Sequence, residues 1–287
     1  SKFKNMSIKH FIATRFNLKI EEWNTAKDGS VVLTEKWLEE RFNLFEKYCF
    51  PSVANQSIKN SYWLIFFDVS TPDIFKKRIE KYTNDFQNFK AIYIDGIKSL
   101  KYSFKQIIME SLEEDDDFII TSRLDNDDSI HHDFVYIIQN LAIKKHETII
   151  DLRRGYQLDI SSNIYEYRNY YNKFNPFISL VESTSNFQTV FSRMHHEWKN
   201  ATSVIVNSNL PLWIEIVHKR NKFNRANFNL PLIRNINLED FSIKKEYKLR
   251  NPIYILTNNL KVKILNVLKN LKYKLKYILK KIIQLFS

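Results

Sequence analysis

Glycine is scarce in this chain: three in 287 residues, at Gly29, Gly96 and Gly155, none near another. GxGxxG and P-loop sites need clustered glycines so that backbone can approach phosphate closely, and both are excluded. One cysteine, Cys49, excludes a disulfide framework and any multi-cysteine zinc or iron–sulfur centre, and points to a reducing compartment. HExxH and GxSxG are absent, and with them the zinc-protease helix and the nucleophile elbow. No signal-peptide pattern opens the chain, and no apolar run reaches the roughly 18 residues that a membrane-spanning helix needs. The 44% hydrophobic and 15% aromatic content excludes a disordered chain and suffices for a sizeable core.

Acidic residues are missing from one end. Residues 258–287 hold eight lysines and no carboxylate, so this tail carries +8 of a net +12 and leaves +4 for the rest. Leu260, Ile264, Val267, Leu268, Leu271, Leu275, Ile278, Leu279 and Ile282 recur at helical spacing, with Lys269, Lys272, Lys276 and Lys280 opposite. A basic amphipathic helix of this kind lies in an anionic membrane interface, lysines at the phosphates and leucines among the acyl chains. The plainer alternative is a helix docked on the body with solvated lysines. Nucleic acid is not an expected partner, because apolar residues stand where a base-reading helix presents polar ones.

Up to about residue 152, short apolar runs alternate with amphipathic segments. Strands are expected at Ile8–Phe16, Tyr62–Phe67, Ala91–Ile94, Phe118–Ser122 and Thr148–Leu152. Helices are expected from a Thr34 cap to a break at Pro51, from a Thr71 cap to about Asp85, over Ser99–Leu112 and over Asp133–Lys145. This alternation predicts an α/β fold with a mostly parallel sheet, whose ligands bind beyond the carboxyl ends of the strands. After Gly155 the pattern loosens into a hairpin over Tyr156–Ile160 and Ile164–Arg168, then short strands at Phe177–Val181, Ser203–Val206 and Trp213–Val217. The expected organisation is one body over 6–250, with halves of about 6–150 and 151–250, followed by the helix over 258–287.

At the end of one buried strand stand Arg123-Leu124-Asp125-Asn126-Asp127-Asp128. Three carboxylates within four residues repel one another unless a cation compensates, and a hard divalent ion with bound phosphates does so. An EF-hand counted from Asp125 fails, with Ile130 where that loop needs glycine and Tyr136 where it needs glutamate. The alternative is a solvated acidic turn capping the next helix. Asp115–Asp117 upstream reads as a solvated run.

Leu124-Asp125-Asn126-Asp127-Asp128 resembles the DxD motif, in its D-x-D-D form, of GT-A glycosyltransferases, especially family 2. Phe50-Pro51-Ser52-Val53-Ala54-Asn55-Gln56, and Phe67-Asp68 followed by Ser70-Thr71-Pro72-Asp73, resemble that family's second-strand signature. More closely, the chain resembles a rhamnosyltransferase family of bacterial polysaccharide clusters. Ala13-Thr14-Arg15-Phe16-Asn17, Trp37-Leu38-Glu39-Glu40-Arg41, Thr121–Asp128, Asn175–Glu182 and Val217-His218-Lys219-Arg220-Asn221 carry the likeness, over about residues 10–225.

The resemblance implies a GT-A fold: Rossmann-like, with a mostly parallel central sheet flanked by helices. It implies transfer of a sugar, rhamnose by the family's label, from a dTDP-, UDP- or GDP-sugar to a surface polysaccharide or lipid-linked glycan. It also implies roles: Asp68 at the nucleotide base, Asp125 at the ribose, and Asp127 on a Mn²⁺ or Mg²⁺ that bridges the diphosphate. Arg15 and Arg123 would neutralise phosphate charge. His218 is a candidate further metal or phosphate ligand, as some GT-A enzymes use a late His or Asp. Together with the basic tail, this places the enzyme in the bacterial cytoplasm, peripheral to the inner face of the inner membrane.

Inversion at the anomeric carbon needs a carboxylate to take the acceptor's proton. Glu182, ending the Pro176–Val181 strand, is the candidate, with Asp159 in reserve; the E-D-x-x-x-x-R segment that usually supplies the base in family 2 is absent. The pairs His131/His132 and His195/His196 direct adjacent side chains apart and make poor chelates, which leaves His196 as a lining of the acceptor site. Trp198, Trp213, Tyr165, Tyr167, Tyr170 and Tyr171 are candidates to stack on sugar faces, though core packing explains most such aromatics. A divalent-metal phosphodiesterase or nuclease built on Asp125–Asp128 is the alternative, and needs ligands from several strands to hold two metals. A non-catalytic membrane-surface protein is the third reading.

Overall fold

Most of the apolar runs become strands, and they sort into two sheets. The computed structural model describes residues 8–22, 25, 31–221, 224–234, 236–244 and 248–286, with backbone only at 248–249 and 280–286; Met6, Gly29 and Ser287 lie outside the described residues. The elements are β1 (Ile8–Arg15), α1 (Glu35–Leu44), α2 (Phe50–Ala54), β2 (Ser61–Asp68), α3 (Asp73–Asp85), β3 (Phe89–Ile94), α4 (Leu100–Ser111) and β4 (Phe118–Arg123). There follow β5 (Ser129–Ile130), α5 (Phe134–Leu141), β6 (Thr148–Leu152), β7 (Arg154–Asp159), β8 (Ile164–Tyr171), β9 (Ser179–Ser183) and β10 (Ser203–Asn207). The last are β11 (Trp213–Val217), β12 (Leu232–Ile233), β13 (Lys248–Leu249) and α6 (Pro252–Phe286).

The larger sheet runs β10-β6-β9-β4-β1-β2-β3. β1 lies parallel to β2 and β4, and β2 to β3, so the carboxyl ends of these strands share one edge. β9 is antiparallel to both β4 and β6 and ends at the opposite edge. One face packs under Phe42, Phe45, Phe75 and Ile138, the other under Leu100, Phe104, Ile108 and Trp198. This is the mostly parallel α/β sheet the alternation predicts. The smaller sheet runs β12-β8-β7-β11-β5, with Tyr48, Leu158, Ile214 and Ile216 in its own core. β5 pairs with β11, so the two residues after Asp128 join the acidic turn to the second sheet. Gly155 on β7 lies against the Trp213 indole, where any Cβ would overlap the ring.

Three local expectations fail, each for a physical reason. Pro51 does not break the first helix: a π-helical turn at Phe45–Cys49, in which the Phe50 N–H reaches the Phe45 carbonyl, shifts the register so that Pro51 falls in the first turn of α2. A missing N–H costs little there. Thr71 does not cap α3; its hydroxyl donates to the Asp68 carbonyl, and Pro72 is the N-cap. Asp116 is buried, not solvated, and takes an ion pair from Lys9 at 2.8 Å.

His10, fully buried on β1, bonds through Nε2 to Ser122 Oγ at 2.7 Å, and Ser122 to Ser179 Oγ at 2.6 Å, which ties β1, β4 and β9 together. Burial pushes its pKa from 6.5 down to about 3. The unfolded chain therefore takes a proton that the folded chain refuses. This contribution is intact above pH 6.5 and is lost as pH falls toward 3, at up to about 1.4 kcal/mol per pH unit. His10→Gln should flatten the stability slope between about pH 6.5 and 5, above the main carboxylate range, in urea unfolding followed across pH. An unchanged slope would mean that His10 is not the group that titrates.

α6 is the tail helix and starts at Pro252 rather than 258. Val262 is buried, while Asn259 and Asn266 bond to the Leu232 and Asn229 carbonyls. Beyond these contacts the stripe is uncovered: Leu260, Ile264, Val267, Leu268, Leu271, Leu275, Ile278 and Leu279 are all more than half exposed. The helix is thus docked on the body near its start, while its apolar stripe faces outward among the described residues. Among the described residues no helix is long and apolar enough to cross a membrane.

Candidate active site

The carboxyl ends of β1 and β4 deliver the acidic turn, and a small set of bonds fixes it. Leu124 N–H donates to the Ala13 carbonyl, and Asn126 Nδ2 donates to the carbonyls of Arg15 and Phe16. The three carboxylates then point to three different partners. Asp125 faces Arg15, Oδ1 to Nη2 at 3.4 Å. Asp128 accepts the Ile216 N–H of β11 at 2.8 Å; burial, with Asp127, Asp125 and Glu215 nearby, raises its pKa well above the usual range. Asp127 Oδ2 gathers Arg41 Nη1 at 2.7 Å, His218 Nε2 at 2.9 Å and Asn221 Nδ2 at 3.2 Å. Burial opposes ionisation of Asp127, but Arg41 and His218 outweigh it and hold the carboxyl well below its ordinary value. Such divergence is the reverse of what a two-metal nuclease needs, where carboxylates converge on a pair of ions.

Asp127 and His218, predicted as metal ligands, come from different sheets and meet. A separation of 2.9 Å matches two neighbouring ligands of one octahedral ion at about 2.1 Å. The separation suits Mn²⁺ or Mg²⁺, with two conditions: Arg41 holds the same oxygen, so guanidinium and metal compete for it, and His218 Nδ1 accepts the Arg220 N–H, so Nε2 carries a hydrogen that a metal must displace. Arg41 also bonds Asn126 Oδ1 at 3.2 Å. Both Arg41 and His218 line a cavity of about 920 Å³ that Trp37, Tyr48, Tyr165 and Arg220 help enclose.

Arg15 and Arg123 form a second cationic feature. Arg123 is 4% exposed, its Nε lacks a hydrogen-bond partner, and no ion pair reaches it among the described residues. Burial and the neighbouring Arg15 lower its pKa to about 10 against the pull of Asp125. Both guanidiniums lie over the Phe191 ring, at 5.2 Å for Arg123 and 5.8 Å for Arg15. Two cations here, one of them buried and unpaired, make a place for an anion.

Other expected residues are placed elsewhere. Glu182 pairs in register with Ile119 at the amino end of β4, at least about 13 Å along the sheet from Arg123. Its carboxylate accepts the N–H groups of Gln188 and Thr189, both at 2.9 Å. The reversed direction of β9 takes it away from the acidic turn, so it is not the base. Asp68 is 2% exposed and spends both oxygens on its own loop, accepting from Lys19, Ser70 and Gly96 N–H and from the Ser70 hydroxyl. Burial raises its pKa, those bonds lower it more, and no oxygen is left to read a base. Gly96 reaches it at φ +65°, a conformation glycine adopts freely. Asp159 caps the β7–β8 turn through Ser161 N–H. Trp198, Trp213 and Tyr167 are core. His131 and His132 do not point apart but stack at 4.3 Å, and with Asp133 their ligand atoms gather within 4.8 Å.

Residues assigned no role in the site from sequence lie in or near it: Arg41 and Asn221 on Asp127, Glu215 beside it, and His195 near Arg123 and Asp125. Glu215 on β11 accepts Gln157 Nε2 at 2.6 Å; burial, with Asp127 and Asp125 nearby, raises its pKa to about 7 against that bond. A lone carboxylate inside the apolar strand Trp213–Val217 was its only signal.

Residues 10–229 match the model of the family described as "Putative rhamnosyl transferase". The chain belongs to that family. Among solved structures it is similar to residues 1–349 of S. aureus TarS, at 11% identity and a TM-score of 0.41 over 73% of this chain. The same TarS fragment in complex with UDP-GlcNAc gives 12% and 0.43 over 77% of this chain. The chain spans about three fifths of that fragment's length, 60% and 63% in the two cases. No curated protein matches the chain.

Proposed function

We propose that this glycosyltransferase moves a sugar, rhamnose by the family's label, from a nucleoside-diphosphate sugar to a bacterial surface polysaccharide or lipid-linked glycan, with inversion and with Mn²⁺ or Mg²⁺. The observation that carries the reading is the pairing of two features at one sheet edge: Asp127 with His218, and the buried, unpaired Arg123 beside Arg15. A diphosphate is the anion that uses both. Asp127 and His218 would hold the metal, which as a Lewis acid stabilises charge on the departing nucleoside diphosphate. Arg123 and Arg15 are preorganised for the same charge and need no reorientation as the glycosyl–phosphate bond breaks. Asp125, joined to Arg15, would take the ribose. Arg41 compensates Asp127 and would have to yield that oxygen to a metal. α6 would lie on anionic lipid at the inner membrane face, close to a lipid-linked acceptor.

The test is calorimetric binding of UDP, dTDP, GDP and CMP and their common sugars, with and without Mn²⁺. One diphosphate nucleotide is expected to bind, and only with metal. Equal binding with and without metal would remove the metal from the reading and leave Arg41 as the permanent cation. No binding by any nucleotide, together with nuclease activity, would replace the reading.

A further inference from the structure

With Glu182 at the wrong edge, the reaction lacks a proton acceptor, and one side chain beside the anion place is held as an acceptor must be. His195 opens a short helical turn, His195–Asn200, after the Phe191 loop that floors Arg15 and Arg123. Its Nδ1 lies 2.5 Å from the Phe174 carbonyl. A carbonyl only accepts, so Nδ1 carries the hydrogen and Nε2 is left with a lone pair. The carbonyl is itself held. Phe174 sits at φ +48°, a left-handed conformation that costs a bulky residue free energy. Fully buried Asp151 fixes it there by accepting the Phe174 N–H at 3.1 Å. Asp151 thus orients His195 through one residue of strained backbone.

The charged groups around the imidazole are Arg123 and Asp125 from the end of β4 and His196 beside it. Burial lowers its pKa, the Phe174 carbonyl opposes that, and Arg123 and His196 lower it further, which favours the neutral ring. His196 stands edge-on to it, rings at 89°, and faces solvent. Glu215 is the competing candidate. Its carboxylate is engaged by Gln157, whose amide is in turn engaged by the backbone at Arg225 and Asn227.

We infer that His195 is the general base: its Nε2 takes the proton of the acceptor hydroxyl. This rests on the glycosyltransferase reading. As the acceptor oxygen bonds to the anomeric carbon, the bond from that carbon to the phosphate oxygen breaks and its electron pair leaves with the nucleoside diphosphate. The acceptor's proton passes to His195, which returns it to solvent.

The experiment compares the full chain with His195→Ala, Glu215→Gln and Asp151→Asn, using the nucleotide sugar found by calorimetry. For His195→Ala, kcat for transfer should fall by about 10²–10⁴-fold, with donor Kd within about threefold of wild type. Added imidazole should restore part of the rate, and the acid limb of the wild-type profile, lying below pH 6.5, should vanish. Asp151→Asn should lower kcat less and move that limb. His195→Ala turning over like wild type, or a loss confined to Glu215→Gln, overturns the inference and leaves the parent reading standing. A loss of transfer with donor binding also gone and no imidazole rescue makes His195 structural and overturns it too. A wild-type chain that binds no nucleotide sugar overturns both.

Discussion

Asp127→Ala is expected to lower sugar transfer by about 10²–10³-fold or more, the usual cost of one preorganised charge-stabilising group, and to abolish any dependence of nucleotide binding on Mn²⁺. The size follows from what converges on one atom. Asp127 Oδ2 is the common partner of Arg41, His218 and Asn221. Without it His218 alone cannot recruit a hard cation, because such ions want several oxygen ligands. Arg41, 15% exposed at its side chain, would also lose its counter-charge in a half-dry pocket. Some stability should go with it, so Asp127→Asn is the companion variant, keeping shape and hydrogen bonding while removing the charge. Both should lose metal dependence; only the alanine should show a clearly lower urea midpoint. Transfer at wild-type rate by the asparagine variant would mean that no metal is held here.

Truncation after residue 267 should release the protein from phosphatidylglycerol vesicles and leave nucleotide binding unchanged. That cut keeps Asn259, Val262 and Asn266, by which α6 is anchored to the body, and removes six lysines with the lower part of the exposed stripe. At about 1 kcal/mol per lysine near an anionic surface, the loss exceeds about 10³-fold in partitioning. Vesicles of phosphatidylcholine alone should bind the full chain far more weakly, and salt should weaken the anionic case further. If full chain and truncation co-sediment equally with anionic vesicles, the stripe serves another partner.

The main sheet was readable because strand length and helix amphipathicity are local properties, and β1, β2, β3, β4 and β6 fall within a few residues of their expected spans. Asp125, Asp127 and Arg123 were readable because one strand end carries them all. Misplaced residues share a cause, which is direction or partner rather than position along the chain. Glu182 closes a strand as expected, yet β9 runs antiparallel to β4 and closes it at the far edge. Asp68 follows its strand as expected, but the loops bearing Lys19 and Gly96 fold back and use it up. The roles of Arg41 and His195 were not legible, since Arg41 meets Asp127 and His195 meets the Phe174 carbonyl from helical segments whose docking no local pattern encodes.

The two-residue strand β5 limits what can be exchanged between relatives. It splices the acidic turn into the sheet that carries β11, and Asp128 adds a bond to the backbone of Ile216. A chimera joined near residue 150 would keep Asp127 but import a foreign His218 and Asn221, two of the three groups bonded to it. On the proposed function, grafting the second half to retarget the acceptor should therefore alter donor use as well. The portable unit is both sheets together.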